Sequence, residues 1–329
     1  MDMYHPPKCS LDLYVEFLIA SQTQFSCSEI EKIFGKTISH DSPTRWLNRK
    51  NLSKDLLWQE IKPHIQPGYL SIDDTLAEKP YSKKIDSVKY QYSGKKHGIA
   101  RGICLVTATW SNADGTFLPF DFCSYDKEQD DKTKNDHFLD IIDLAESRDL
   151  KPLYVQMDTW YSSNNNLKAI QKKGWLFISQ VKSNRLVTLD DGESWINVED
   201  LELTEKQVQE ASLKGFGKIL ICKKILKDED VAYWITNDLT LTDHDRFIFH
   251  STKRWDIEEM HRSLKQLCGL EKCSLRKATA QMNHMLCSFI ALARFQIQAV
   301  ADGICRYTRK IDIVRPAIRL HLNPYMSSA

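Results

Sequence analysis

The spacing of apolar residues changes abruptly at Gly68. Before it, they recur at three- and four-residue steps, as helices require. After it come extended runs, Tyr69 to Asp73, Ile103 to Trp110 and Phe117 to Phe122, rich in the aromatic and β-branched residues of strands. An Asn-Ala-Asp-Gly turn at 112–115 joins the last two, so the three runs predict an antiparallel meander. An amphipathic stretch around His137 to Ala145, a buried-looking run Leu153 to Met157, and a helix from about Asn165 to Lys173 closed by Gly174 then predict strand-helix-strand units. The sum is a mixed α/β sheet. Strand-like pieces recur at Trp175 to Val181, Lys218 to Lys223 and Val231 to Thr236, and helix returns at about Arg254 to Leu267 and Thr279 to Val300.

The first 66 residues read as three helices. Leu11, Tyr14, Val15, Leu18 and Ile19 form one apolar stripe; a second helix starts at Ser28, with Glu31 completing a capping box, and stops at Gly35. A third takes Ser42 as N-cap and Pro43 as its first residue, which turns Arg45, Arg49 and Lys50 outward. Short helix, turn, then basic helix is the outline of a helix-turn-helix. The same outline describes an ordinary three-helix packing, and this segment holds eight basic and eight acidic side chains.

With 329 residues and 42% hydrophobic content the chain can bury a full core, and no apolar run approaches the roughly 18 to 20 residues of a membrane span. The start, MDMYHPPKCS, lacks a secretory signal, so the nine cysteines are expected as free thiols in a reducing compartment. Cys268 and Cys273 have no partner pair at zinc-ligand spacing, which sets zinc aside. The net charge of +1 hides segregation: 79–101 carries seven basic residues against Asp86, and 190–210 eight acidic residues against Lys206. Such a pattern either attracts phosphate to one face or marks solvated loops of opposite sign.

Asp73 and Asp74 end one extended run, Asp158 ends another, and Glu258 lies on a helix further on. Singly, acids at these places are turn formers or solvated. Together, carboxylates on different elements suit hard cations: two Mg²⁺ ions about 3.5 to 4 Å apart can activate a nucleophilic oxygen and neutralise a leaving one in phosphodiester cleavage. Asp73 and Asp74 point to opposite faces of a strand, so only one can share a metal with Asp158. Around Glu258, residues Arg254, His261, Arg262 and Lys265 recur at helical steps, placing cations along the face of a carboxylate, although i to i+4 salt pairing accounts for that too.

The string R-W-x-I-E-x-x-H-x-x-L-K at 254–265 closely resembles the signature of bacterial insertion-sequence DDE transposases, particularly insertion-sequence family four, in which Tyr, Arg, Glu and Lys fall at fixed spacing. Arg254, Glu258 and Lys265 match; the tyrosine is replaced by Ser251. The segments ending at Asp73-Asp74-Thr75 and at Asp158 look like the family's two aspartate strands, and the likeness spans about 68–290. It implies a ribonuclease-H-like fold at 67–300 with a mostly β insertion at about 175–249; the helix-turn-helix outline makes 1–66 a helical DNA-binding region, and 301–329 reads as a tail. It implies further that Asp73, Asp158 and Glu258 hold Mg²⁺, with Mn²⁺ able to substitute. Asp73 is preferred because members read Asp-x-Thr there; Asp74 and Ser251 become supporting residues. Arg254 and Lys265 would bind DNA phosphates, with Arg262, Lys182, Arg185, Arg45 and Arg49 as further contacts. The implied activity cuts transposon ends and joins them to target DNA, by a homodimer bridging two ends of double-stranded DNA, in the cytoplasm on the nucleoid and away from membranes. A nuclease or resolvase that cuts without joining, and a regulator with an idle core, are the alternatives. Trp175, Trp195 and Trp234 are candidates either for stacking on a displaced base or for core packing. Arg306, Arg309 and Lys310 would grip DNA backbone or solvate the tail.

Overall fold

The structure, a computed structural model, describes residues 8–49, 51–190, 192–225 and 230–326. Four helices come first: α1 (Leu11–Ala20), α2 (Cys27–Phe34), α3 (Asp41–Arg49) and α4 (Asp55–Ile61). The sheet then opens with β1 (Gly68–Glu78), β2 (Lys89–Ser93), β3 (Gly98–Asn112) and β4 (Phe117–Tyr125). A short α5 (Lys127–Asp130) and α6 (Lys134–Ser147) lead to β5 (Val155–Met157), α7 (Asn164–Lys172) and β6 (Phe177–Val181). The strands β7 (Leu186–Thr188), β8 (Ile196–Asn197), β9 (Val208–Leu213), β10 (Gly217–Ile225) and β11 (Val231–Thr236) follow. The chain closes with α8 (His244–Thr252), α9 (Trp255–Leu267), α10 (Ala278–Ala301), α11 (Arg306–Asp312) and α12 (Arg315–Met326).

All the strands join one mixed sheet in the order β2-β3-β1-β5-β6-β11-β10-β9-β7-β8, with β4 on β3. β1 pairs antiparallel with β3 and parallel with β5, and β5 pairs parallel with β6. An antiparallel meander feeding parallel strands through helical crossovers is the ribonuclease-H-like α/β architecture. β6, which the sequence groups with the strands from 175 onward, is the third of the parallel strands β1, β5 and β6, and β11 to β8 extend the same sheet beyond it. Trp175 and Trp234 are buried and Trp195 lies at the surface with Lys214 over its ring.

Some local expectations change. Ser26, not Ser28, caps α2 by accepting from the Glu29 N–H, and Glu31 instead accepts from the His40 N–H at 3.1 Å. α3 starts at Asp41, and Ser42 in its first turn accepts from the Cys9 N–H at 3.0 Å. Arg45 is half-buried with its Nε toward the Asp41 carbonyl, Arg49 is exposed, and Lys50 lies outside the described residues. β2 has no counterpart among the runs read as strands.

α10 is long and apolar enough to meet the length and composition test for a membrane span, contrary to expectation, but 72% of its apolar window is buried inside the protein. It is the central core helix. Side chains of α1, α3 and α4, among them Leu18, Leu47 and Leu57, share one core with α10 and with the sheet. Polar contacts fix the same junction: Asn283 donates to the Leu47 carbonyl (2.8 Å), and Arg294 reaches Asp12, Glu16 and Glu60. All nine cysteines are free.

His284, fully buried on α10, accepts from the Tyr14 hydroxyl at Nδ1 and donates from Nε2 to the Gly269 carbonyl, both at 2.9 Å. Gly269 follows α9 with φ 65°, where an added Cβ would lie 2.6 Å from the Phe25 ring. Burial pulls the His284 pKa down to about 4, with the Lys79 charge adding to the fall. The unfolded chain therefore takes up a proton below pH 6.5 that the native chain refuses, so stability is lost as pH falls. Between pH 7 and 5 this one group is expected to cost about 2 kcal/mol. Urea melts of the wild type and His284→Gln at both pH values check it; identical pH dependence in the two proteins would refute the assignment.

The C-terminal segment is helical; α11 is tied inward, and residues 315–323 of α12 are exposed. Arg306 donates to Ser263 Oγ and Glu259, Arg309 reaches Gln298 and Asp302, and Lys310 is buried against the main-chain carbonyls of Leu18, Ile19 and Leu267. All three cations are engaged by the protein's own acceptors, Lys310 in the interior and Arg309 at the surface.

Candidate active site

Asp73 sits in the middle of β1, opposite Thr107 of β3, and Asp158 follows directly on β5, the parallel neighbour of β1. Glu258 stands in the first turn of α9. The turn into α9 is pinned to the sheet: Gln156 of β5 donates to the His250 carbonyl (2.6 Å), and Tyr69 of β1 bonds His250 Nδ1 (2.7 Å). Arg254, the residue before α9, thereby points its guanidinium between two acids, 3.4 Å from Asp73 Oδ2 and 3.8 Å from Glu258 Oε1. Asp158 Oδ1 accepts from the Trp160 and Tyr161 N–H groups, a local turn that holds the carboxylate at the strand end.

Electrostatics join the three. The Asp73 carboxyl is raised well above the usual range, first by burial, then by the Asp158 charge; Arg254 opposes, and Asp74 and Glu258 push further up. Asp158 is raised by burial, against the two backbone bonds and Arg254 that lower it. Like charges held together in a half-dry pocket call for a cation, and Arg254 partly meets that demand. The donor set, all carboxylate oxygen, is the kind that Mg²⁺ or Mn²⁺ takes. Among the described residues no three His, Cys, Asp or Glu side chains converge into a complete ligand cage, and the guanidinium stands where the acids face one another.

Asp74, on the opposite face of β1, is otherwise engaged. Its carboxylate takes Lys134 Nζ at 2.8 Å and the Tyr161 hydroxyl at 3.1 Å. Lys134 is set by the capping box of α6, in which Thr133 and Asp136 exchange side-chain and backbone bonds. Nothing in the sequence tied Lys134 to Asp74, because the pairing spans 60 residues. The sequence grouped His261, one turn beyond Glu258, with the cations of that helix face, and the structure makes it a neutral, buried strut instead. It is buried, its pKa pushed down to about 3 by burial, then by Lys265 and Arg254, and its Nε2 bonds the Thr107 hydroxyl at 2.7 Å. That hydroxyl donates to the Asp73 carbonyl at 3.2 Å, so the imidazole proton belongs on Nε2. The relay straps α9, which carries Glu258, to β1, which carries Asp73.

The remaining candidates scatter more widely. Lys265 lies on α9, 3.7 Å from Glu271, and Arg262 is paired with Glu259 at 2.5 Å on the exposed side. Arg185 donates to the Ser162 carbonyl (2.8 Å) and Asn164 Oδ1 (2.6 Å), bracing the segment after Asp158, while Lys182 is exposed. Ser251 is buried, and its hydroxyl donates to the Ile248 carbonyl within α8 instead of facing the acids.

No curated protein matches the chain. A family model described as "Transposase DDE domain" matches residues 66–294, from just before β1 into α10, and so includes every element that carries the three acids. Families of this kind act on DNA as metal-dependent polynucleotidyl transferases. With more than half of its length matched, and with a mixed sheet that sets one aspartate and a helical glutamate about the same arginine, this chain belongs to the DDE transposases.

Proposed function

We propose that this chain is an insertion-sequence transposase, of the family-four kind, that cuts transposon ends and joins them to target DNA, with Asp73, Asp158 and Glu258 as its metal-binding catalytic acids. The observation that carries the reading is geometric: Asp73 stands on β1 and Asp158 directly after its parallel neighbour β5, and Arg254 reaches both Asp73 and Glu258, while Asp74 is committed to Lys134 and Tyr161. Mg²⁺ bound by these carboxylates, with Mn²⁺ as a substitute, would supply activation of the attacking oxygen and charge neutralisation at the leaving oxygen. The protein's own part is placement. β1 and β5 fix two carboxylates side by side, and the His261–Thr107 relay holds α9 at a set height over them. Arg254 presents a planar fork suited to a phosphate beside the scissile bond and Lys265 a point charge further along the helix. Arg262, Lys182, Arg185, Arg45 and Arg49 are assigned as further DNA contacts, and a homodimer bridging two ends as the working assembly.

Glu258→Gln tests the reading. The variant is expected to lose nicking of supercoiled plasmid in Mg²⁺ while retaining duplex binding; a variant that nicks at the wild-type rate removes Glu258 from the chemistry. Incubating donor ends with target DNA then separates transposition from simple cutting, since only a transposase yields joined products.

A further inference from the structure

We infer that the exposed face of the β2–β3 hairpin is a DNA-docking surface that carries the duplex away from the carboxylate pocket. The inference rests on the proposed role of that pocket, and it concerns residues outside the family signature.

Register sets the geometry. On β3, Thr107 lies opposite Asp73, and every second residue from there toward the N-terminus shares its face, down to Arg101 and Ile99. β2 pairs Tyr90 with Arg101 and Tyr92 with Ile99, so these four side chains continue the face on which Asp73 lies. From Thr107 to Arg101 is roughly 20 Å along the strand, or about six phosphate spacings of a duplex. The four are not core residues. Tyr90 and Tyr92 on the edge strand β2 and Ile99 beside them on β3 are 71%, 66% and 76% exposed.

Charge identifies the occupant. Of the cations between 79 and 101, Lys79 donates into the protein to the Glu271 and Cys273 carbonyls, Lys89 pairs with Asp126 and Glu128, and Lys96 pairs with Glu78. Lys83, Lys84 and Arg101 have no carboxylate partner among the described residues. Arg101 lies over the Tyr90 ring at 5.3 Å, and its buried Nε has no hydrogen-bond partner. Lys83 and Lys84 stand exposed on a loop that is anchored by the Asp86 N–H to the Arg276 carbonyl (3.0 Å). Arg101 against an exposed aromatic ring, two further cations without carboxylate partners on the loop that leads into β2, and Asp86 as the single acid in that stretch of sequence suit a polyanion with flat faces. A protein partner would have to bring its own acids.

The test uses the full chain without Mg²⁺ and a fluorescent duplex of about 30 base pairs with a single-stranded tail, titrated across salt concentrations. Lys83→Glu/Lys84→Glu/Arg101→Glu is expected to weaken binding about tenfold or more near 0.1 M salt and to reduce the slope of log affinity against log salt by about 2 to 3. Tyr90→Ala/Tyr92→Ala is expected to weaken it about tenfold, with little change in slope. Affinity of both variants within about twofold of wild type, at an unchanged slope, overturns the inference. So does a change of oligomeric state on size exclusion with DNA affinity intact, which would make the face a protein interface. Plasmid nicking by the same preparations separates the two claims. A wild type that nicks, with variants that bind normally, defeats only the docking surface; a wild type that never nicks, with binding that depends on the hairpin, defeats only the catalytic reading.

Discussion

Asp73→Asn is expected to lower DNA strand cleavage by on the order of 10³-fold or more while leaving the thermal midpoint at or above that of the wild type. The two effects have one cause. The Asp73 carboxylate is largely buried and lies near the charges of Asp158 and Glu258, with Asp74 adding to the repulsion from the other face of β1, and Arg254 offsets that repulsion only in part. A neutral amide of the same shape removes the repulsion and the burial cost of the charge, so the metal-free fold loses nothing. The same amide is a poor ligand for a hard cation. Mg²⁺ should therefore raise the melting temperature of the wild type and leave that of the variant unmoved. A plasmid-nicking assay and paired thermal melts with and without Mg²⁺ read both effects. A variant that still nicks, or that melts far below the wild type, would contradict the role given to this residue.

The largest effect on stability is expected at Lys310. Its Nζ donates to the carbonyls of Leu18 (3.2 Å), Ile19 (2.7 Å) and Leu267 (2.8 Å). Those carbonyls lie in the last turns of α1 and α9, where the helix ladder has no donors left to offer. One ammonium thus closes two helix ends and carries the charge sign that both prefer. Burial pulls its pKa down to about 8, so at neutral pH it still holds its proton. Lys310→Met keeps the volume but leaves three buried acceptors without this donor, a cost of about 3 to 5 kcal/mol and a fall in the melting temperature of about 5 °C. Differential scanning calorimetry measures it; a shift of less than a degree would mean that water satisfies those carbonyls equally well.

Much of the catalytic half was legible because its signals are local. The runs ending at Asp73 and Asp158, the meander turn at 112–115 and the cations around Glu258 follow from periodicity and spacing, and the structure brings those segments together. What could not be read depends on partners far along the chain. Lys310 looked like one charge among several, and only the arrival of helix ends 43 and 291 residues away makes it a core residue. Ser28 and Glu31 fit a capping box on paper, but Ser26 was two residues earlier and His40 claimed the glutamate. β2 escaped notice for another reason: Tyr90 and Tyr92 alternate as a strand should, yet both face outward, so the usual apolar-inside cue is absent. The relay from His261 through Thr107 to the Asp73 backbone was likewise invisible, since Thr107 is one polar residue in a long apolar run.

The way α1, α3 and α4 lie against α10 bears on how such a gene can be cut and spliced. The portion by which the chain is recognised ends at 294, inside a helix whose buried side continues to Ala299. What is recognisable by descent and what holds together in water are therefore different lengths of polypeptide. A fusion or deletion that kept only the former would strip the cover from the long central helix and leave its greasy flank bare, so the leading and trailing helices must be inherited with the chemistry they never touch.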